Sequence, residues 1–427
     1  MKNERSTRDQ VRELLRSAGF GLIQFDSPLQ ADSKLRIDVL AWAADSTGEL
    51  VPWAVVELRS GQFKTPELTL PSLARSRDLL GSVDHYAVVN RQWFKADRGV
   101  RSLEPVDGPT PPPYGTGGFL ADEEIATSLL LKRLWREADL ERSRGVHEDF
   151  FPSAELLAET AIPGIEGGSG EFVPVRPDVL WRARRRALMQ FSANSRAGSD
   201  LTSHPVIATA VAALTGSRLA GTVLDPFCGT GSFLWAAMDL ALAHEAPVEF
   251  VGIDINERLA DLAAMIGRTA PLITTITHGD AFREPLPQAD VVLAAPPVGM
   301  HLQEPRNLID GASTNDATVA GVDLAVRQLR PGGRAIVHVG AGFTFQHTAE
   351  RFRQYLAHEC RVAAVLGLPS GAVPGTGVRS VLLVIDKAEP GDTFVAQLGG
   401  DWETQLKPGG AALTAALDHL DDGAAAG

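Results

Sequence analysis

Five short stretches of this 427-residue chain carry side chains placed to do chemistry. The first is Asp225-Pro226-Phe227-Cys228-Gly229-Thr230-Gly231-Ser232-Phe233, directly behind the apolar run Thr222-Val223-Leu224. An acid closes a buried strand, two glycines let the chain turn tightly and let a ligand approach it, and Ser232 opens a helix. A strand that feeds a glycine turn into a helix N-terminus can hold a nucleotide-like group. The spacing is not the dinucleotide fingerprint, because Leu234 stands where its third glycine belongs. Two further acids end strands in order after the loop: Asp254, followed by Ile255, and Asp280, followed by Ala281 and Phe282. Both can accept hydrogen bonds from a ligand's hydroxyl or amino groups. The fourth stretch is Ala295-Pro296-Pro297-Val298, behind the apolar run 290–294. The fifth lies far upstream, where Asp38, Glu57 and Arg59 fall on two neighbouring strands. Two carboxylates there could hold a hard divalent cation, which prefers oxygen ligands.

The elements needed to position these groups are legible in outline. From 216 to 390 apolar strands alternate with helical patterns: strands at 222–224, 248–254, 272–276, 290–295, 334–339, 362–366 and 381–385, with helices between them. Such alternation predicts an α/β domain with a mostly parallel sheet covered on both faces. Upstream, residues 5–20 read as a helix, 35–43 and 51–59 as a hairpin, 70–80 as a helix and 85–90 as a strand, a small α+β domain over 1–103. The Pro- and Gly-rich run 104–118 reads as an irregular interdomain linker. Residues 119–215 read as a helical domain or cap, with helices over 123–140, from Ser153 to Pro163 and from Trp181, and a flexible loop at 167–170. The tail 391–427 is expected to hold a short strand or helix and a disordered end at 421–427.

The formal net charge of −13 argues against a generally basic nucleic-acid binder, although a local basic face can act on an acidic protein. Arg182, Arg184, Arg185 and Arg186 are the densest positive cluster; they read equally as a phosphate contact and as a solvated helix face. Two cysteines are too few for a disulfide framework, the N-terminus lacks an apolar signal region, and no apolar run is long enough to span a bilayer. A cytoplasmic location is expected.

The string Asp225-Pro-Phe-Cys-Gly-Thr-Gly-Ser-Phe233 resembles the S-adenosylmethionine loop of adenine-N6 DNA methyltransferases, above all the modification subunits of type I restriction systems. Pro331-Gly-Gly333 and the run 367–384 resemble later parts of the same family. The resemblance implies a class I, Rossmann-like methyltransferase fold, S-adenosylmethionine as cofactor, and DNA, with specificity or restriction subunits, as partners. It makes Asp225, Pro226, Phe227, Gly229, Gly231, Asp254, Ile255, Asp280 and Ala281 cofactor-binding, with Asp225 near the methionine ammonium, Asp254 at the ribose hydroxyls, and Asp280 and Ala281 at the adenine. Active relatives carry Asn-Pro-Pro-aromatic at the fourth strand; this chain has Ala295 and Val298 at the first and last positions. The asparagine oxygen accepts from the target amino group and the aromatic stacks on the base, so both losses imply weak or absent catalysis. Residues 1–103 resemble the N-terminal nuclease-like domain of type I restriction subunits, which sets an Asp, a Glu and a Lys about a metal; Arg59 at the lysine position implies a degenerate site holding none. A non-catalytic protein that binds DNA or a partner, and a methyltransferase acting on a non-DNA amine, remain alternatives.

Overall fold

A computed structural model describes residues 2–28, 36–60, 65–115, 117–144, 152–157, 161–163, 172–194, 202–373 and 377–422. The loop expected at 167–170 and residues 423–427 lie outside them. The chain divides into two units, 1–132 with 159–183, and 133–158 with 184–427.

In the first unit, helix α1 (Lys2–Ser17) precedes β1 (Leu22–Pro28), β2 (Arg36–Ala44) and β3 (Leu50–Arg59). Helix α2 (Leu70–Leu80) then carries the chain to β4 (Asp84–Val89), β5 (Gln92–Ala96) and β6 (Leu103–Val106). These strands form one sheet in sequential order, antiparallel except for β3 against β4, the pair joined through α2. Val11 and Leu15 of α1, four residues apart and so on one face, pack with Ile23, Val39, Val56 and Tyr86. Burying such a side chain contributes roughly 1.5–3 kcal/mol.

The linker expected at 104–118 is corrected in two respects. Its first residues are strand β6, in which Pro105 stands opposite Phe94, and its whole length falls inside the first unit. Proline is tolerated there because β6 is the sheet's edge and its missing N–H breaks no ladder. The Thr110 backbone N–H donates to the Tyr86 hydroxyl at 2.9 Å, tying the run to the sheet.

Residues 119–215 hold α3 (Glu123–Ser143), β7 (Ala161–Pro163), β8 (Phe172–Pro174), α4 (Pro177–Asn194) and α5 (Pro205–Ala213). They do not form a unit of their own, for the division falls within α3 and α4. The helix expected from Ser153 to Pro163 is a single 3-10 turn, Ala154–Leu156, and then strand β7, which pairs with β8.

The second unit continues with β9 (Gly221–Asp225), α6 (Ser232–Ala243), β10 (Val248–Asp254), α7 (Glu257–Gly267), β11 (Thr274–His278) and β12 (Ala289–Ala294). A two-stranded ribbon, β13 (His301–Asn307) and β14 (Ser313–Asp316), leads to α8 (Ala317–Gln328), β15 (Leu329–Gly340), α9 (Glu350–Glu359), β16 (Arg361–Leu368) and β17 (Ser380–Asp386). The main sheet runs β11-β10-β9-β12-β15-β17-β16 and ends in β18 (Phe394–Gln397). From β11 to β15 the neighbours are parallel; β17 lies antiparallel between β15 and β16. Strand order turns about β9, with β10 on one side and β12 on the other, and such a switch opens a crevice at the strands' carboxyl ends.

The tail holds more than the one short strand or helix expected, and Asp421 and Asp422, expected in its disordered end, close a helix. Strand β18 pairs with β16, and helices α10 (Trp402–Leu406) and α11 (Ala411–Asp422) bury Trp402, Leu406, Leu413, Ala416 and Leu420. The Gly- and Ala-rich composition hid an apolar stripe at 413, 416 and 420, which has helical spacing. One ion pair locks the far end of the sheet: Arg334 and Asp386, both fully buried, meet at 2.7 Å in a two-pronged contact. A forked guanidinium on a carboxylate satisfies both groups where water cannot.

Candidate active site

A cleft of about 1340 Å³ opens at the carboxyl ends of β9, β10, β11, β12 and β15. Its walls include Pro226, Phe227, Gly229, Asp254, Ile255, Asp280, Ala281 and the whole of Ala295-Pro-Pro-Val298. These eleven residues of separate strands and loops are thus brought together by the sheet's order, since neighbouring strands lie roughly 5 Å apart.

The glycine turn is built from both directions. Asp254 Oδ2 accepts the Gly229 N–H at 2.8 Å, and Oδ1 accepts the Asn256 N–H at 2.8 Å. Each carboxylate oxygen keeps a further lone pair for a ligand. The Cys228 N–H donates to the Ile253 carbonyl, coupling the turn to β10. Gly231 has φ +87°, and a Cβ there would stand 2.4 Å from the Trp235 ring. The indole in turn donates to the Thr230 carbonyl at 2.7 Å. Gly229 has φ +55° with nothing within 4 Å of its missing Cβ, so its face is open to a ligand.

Asp225 does not reach the cleft wall. It is 1% exposed and lies beneath the turn, where Oδ1 accepts the Phe227 N–H at 3.0 Å. Burial, reinforced by the charge of Asp254, pushes its carboxyl up to about 8. It is not among the residues that line the cleft, and Gly231 likewise supports the turn from behind. Cys228 is buried and its thiol is pushed up well beyond the usual range by that burial.

At the next strand end, Asp280 Oδ1 accepts the Phe282 N–H at 2.9 Å, which folds Ala281 and Phe282 over the cleft. Phe282 packs against Phe227, ring centres 5.5 Å apart, and the Arg306 guanidinium lies over the Phe282 ring, 5.0 Å from its centre. Arg306 belongs to β13, so the ribbon covers this end of the cleft. The sequence pattern gave no sign of the ribbon, and the cleft residues His338 and Ser380 were also missed. His338 had left a signal, a lone polar residue in the run Ala335-Ile-Val-His-Val339.

Pro296 and Pro297 hold the motif loop in place. A Cβ on Gly321 of α8 would stand 2.5 Å from Pro296 Cβ, so the glycine admits the ring. Thr318 Oγ1 donates to the Pro297 carbonyl at 2.8 Å. Ala295 presents no acceptor of its own, and Val298 is 52% exposed at the mouth.

Among the arginines, Arg184 is fully buried and donates to the Met265 carbonyl and Thr269 Oγ1, each at 3.2 Å. Burial and the nearby Arg268 lower its pKa to about 10. Arg185 forks onto Asp239 at 2.9 and 2.6 Å, Arg182 pairs with Glu123 and Asp178, and Arg186 is half-buried. The cluster therefore is not a shared phosphate-facing patch: three of its charges are spent within the fold.

In the first unit Asp38, Glu57 and Arg59 do meet. Arg59 reaches Asp38 at 3.0 Å and Glu57 at 2.8 Å, and Ser72 donates to Glu57 at 2.7 Å. Burial and the charge of Asp38 raise the Glu57 carboxyl above its ordinary range. The guanidinium thus bridges the two carboxylates. Among the described residues no group of three or more His, Cys, Asp or Glu could hold a metal ion, and no helix is long and apolar enough to cross a membrane.

The chain is 24% identical over 192 residues to the EcoEI methylase subunit of a type I restriction enzyme from Escherichia coli, covering 40% of this chain and 39% of that one. It is 28% identical over 227 residues to the StySPI methylase subunit from Salmonella potsdam, covering 47% and 43%. This chain thus matches about two fifths of the length of these curated relatives. The fold is that of a class I S-adenosylmethionine-dependent methyltransferase: a crystal structure assigned to that class, from Listeria monocytogenes, superposes with a TM-score of 0.53 at 17% identity, over 69% of this chain and 99% of that one. Residues 178–403, more than half of the sequence, match the family described as N-6 DNA Methylase, and the chain belongs to that family.

Proposed function

We propose that the second unit binds S-adenosylmethionine in its cleft and directs methyl transfer to the exocyclic amino group of adenine in DNA, with turnover weakened by Ala295 and Val298. The observation that carries this reading is the order of groups along one sheet edge: Asp280 after β11, Asp254 on β10, the glycine turn after β9, and Ala295 after β12. An elongated ligand with an adenine, a ribose and an amino-acid end fits that order. Asp280 would accept from the adenine amino group, with Ala281 and Phe282 against the ring. Asp254 would accept from the ribose hydroxyls through its remaining lone pairs, beside Ile255. Pro226, Phe227 and the open face of Gly229 would border the amino-acid end, with Asp225 shaping the turn from below. Bound there, the cofactor supplies a methyl group activated by its sulfonium. The Pro296-Pro297 loop then sets where a target amine can stand, which is most of what orientation contributes.

The curated relatives are methylase subunits of restriction enzymes, and this chain matches only part of their length. By likeness to those subunits, DNA recognition would draw on specificity or restriction subunits, in a reducing cytoplasm that suits two free cysteines. In the first unit the pairing of Arg59 with Asp38 and Glu57 favours a degenerate nuclease-like domain. Ala295 and Val298 favour a second reading, a protein that binds cofactor and DNA without turnover.

Calorimetric titration with S-adenosylmethionine tests the proposal. Micromolar binding that disappears in Asp254→Ala is expected. Absence of binding by the folded wild-type protein would overturn it.

A further inference from the structure

The register between β12 and β15 pairs Ala294 with Val337, so the next residue on each chain, Ala295 and His338, stand side by side. Ala294 and Val337 face one apolar core, and successive side chains alternate between faces. Ala295 and His338 therefore share the other face, and both line the cleft. The motif loop also folds over the end of β15, where Val298 Cγ1 would be 3.1 Å from a Cβ on Gly340. His338 Nε2 lies 2.9 Å from Ser380 Oγ on β17, a contact that pins the ring, and Nδ1 makes no hydrogen bond with the described residues. An imidazole thus sits beside the alanine that lacks the family's acceptor.

We propose that His338 takes over the acceptor role: its Nδ1 accepts a hydrogen bond from the target amino group and receives the proton released on methyl transfer. The proposal rests on the methyl-transfer reading above. The amine nitrogen forms a bond to the methyl carbon as the carbon–sulfur bond breaks, the sulfonium becomes a neutral thioether, and the alkylated nitrogen gives one proton to Nδ1. The proposal takes the tautomer in which Nε2–H donates to Ser380 Oγ, which leaves the lone pair on Nδ1. Burial lowers the His338 pKa to about 4, so the free ring is neutral at pH 7 and that lone pair is available. A histidine acceptor explains how the chain could dispense with the asparagine yet keep both prolines.

The test uses the full chain labelled with 15N-histidine and saturated with S-adenosylhomocysteine. It is titrated with a single-stranded oligonucleotide containing one adenine, and with the same strand carrying purine, which lacks the amino group. The Nδ1 resonance of His338 is expected to move with adenine and not with purine. In parallel, His338→Ala should lower methyl transfer at least tenfold while leaving S-adenosylmethionine affinity within twofold. His338→Asn, whose amide oxygen can stand near the Nδ1 position, should restore part of the rate and guards against a misfolded alanine variant. An Nδ1 resonance indifferent to the adenine strand, or a wild-type rate in His338→Ala, would overturn the proposal. Failure of the wild-type protein to bind S-adenosylmethionine would instead bring down the cofactor reading itself, and this assignment with it.

Discussion

The Asp254 carboxylate accepts the backbone N–H of Gly229 at 2.8 Å, so the acid that ends one strand also holds the glycine turn of its neighbour. Two roles in one side chain separate two variants. Asp254→Asn keeps an oxygen for Gly229 but loses the charge, and should weaken S-adenosylmethionine binding roughly tenfold with little change in melting temperature. Asp254→Ala leaves the Gly229 donor without its partner, and should cost about 1–3 kcal/mol of stability together with all measurable binding. Calorimetry and thermal melting of both variants read the difference. Equal loss of stability in the two would show that charge, not the hydrogen bond, holds the turn.

Gly229 and Gly231 look alike in the sequence and differ in what they meet. A Cβ at Gly231 would strike the Trp235 ring at 2.4 Å in a backbone at φ +87°. Gly231→Ala should therefore destabilise the unit by roughly 1–3 kcal/mol, the usual scale for a strained backbone. Gly229→Ala meets nothing within 4 Å, so its cost should be about 1–2 kcal/mol from φ +55° alone, while the added methyl intrudes on the ligand face. Denaturant melts rank Gly231→Ala as the less stable, and titration ranks both as poor binders.

Asp225 sits under the turn with its carboxyl pushed up to about 8. A raised carboxyl contributes stability that is complete below its unfolded value near 3.8 and is lost as pH rises through about 8. Asp225→Asn removes that loss and can still accept the Phe227 N–H. The variant should thus be more stable than wild type at pH 7, by at most roughly 4 kcal/mol at about 1.4 kcal/mol per pH unit, and equally stable near pH 4. Because Asp225 does not reach the cleft wall, S-adenosylmethionine affinity should fall less than threefold. A large loss of affinity would mean that the carboxylate touches the ligand.

Apart from Ala295-Pro-Pro-Val298, which stood out by its resemblance to a family motif, the parts of this site that were legible before the structure share one property: they are apolar runs ending in an acid or a glycine. Strand β10 matches its sequence bounds, Val248–Asp254, because six apolar-rich residues stop at a charge. The ribbon of β13 and β14 was not legible, since His301-Leu-Gln-Glu-Pro-Arg-Asn307 is almost wholly polar and exposed. Its pairing comes from its place at the cleft mouth rather than from any periodicity. The arginine cluster misled for the opposite reason. Charge on a sequence suggests a surface, yet Arg184 is buried, with one guanidinium nitrogen donating to the Met265 carbonyl and Thr269 Oγ1. Only tertiary contacts distinguish such an arginine from a phosphate ligand.

The damaged motif makes the sharpest case. Pro296 is seated against Gly321 and Pro297 is tied to Thr318, so the loop keeps its path without the asparagine. Restoring Ala295→Asn adds an acceptor beside His338, and Val298→Tyr adds a stacking face where the side chain is already 52% exposed. Stacking on a base is worth roughly 1–3 kcal/mol, or about fivefold to 150-fold in capture. The double variant should therefore methylate adenine in DNA at least tenfold faster than wild type, with S-adenosylmethionine affinity unchanged. Transfer of tritiated methyl to DNA measures the gain, and the two single variants divide it between orientation and stacking. If neither residue helps while the cofactor still binds, the limit lies outside this motif, in DNA recognition by a partner, and the same assay repeated with a specificity subunit of a type I system would locate it.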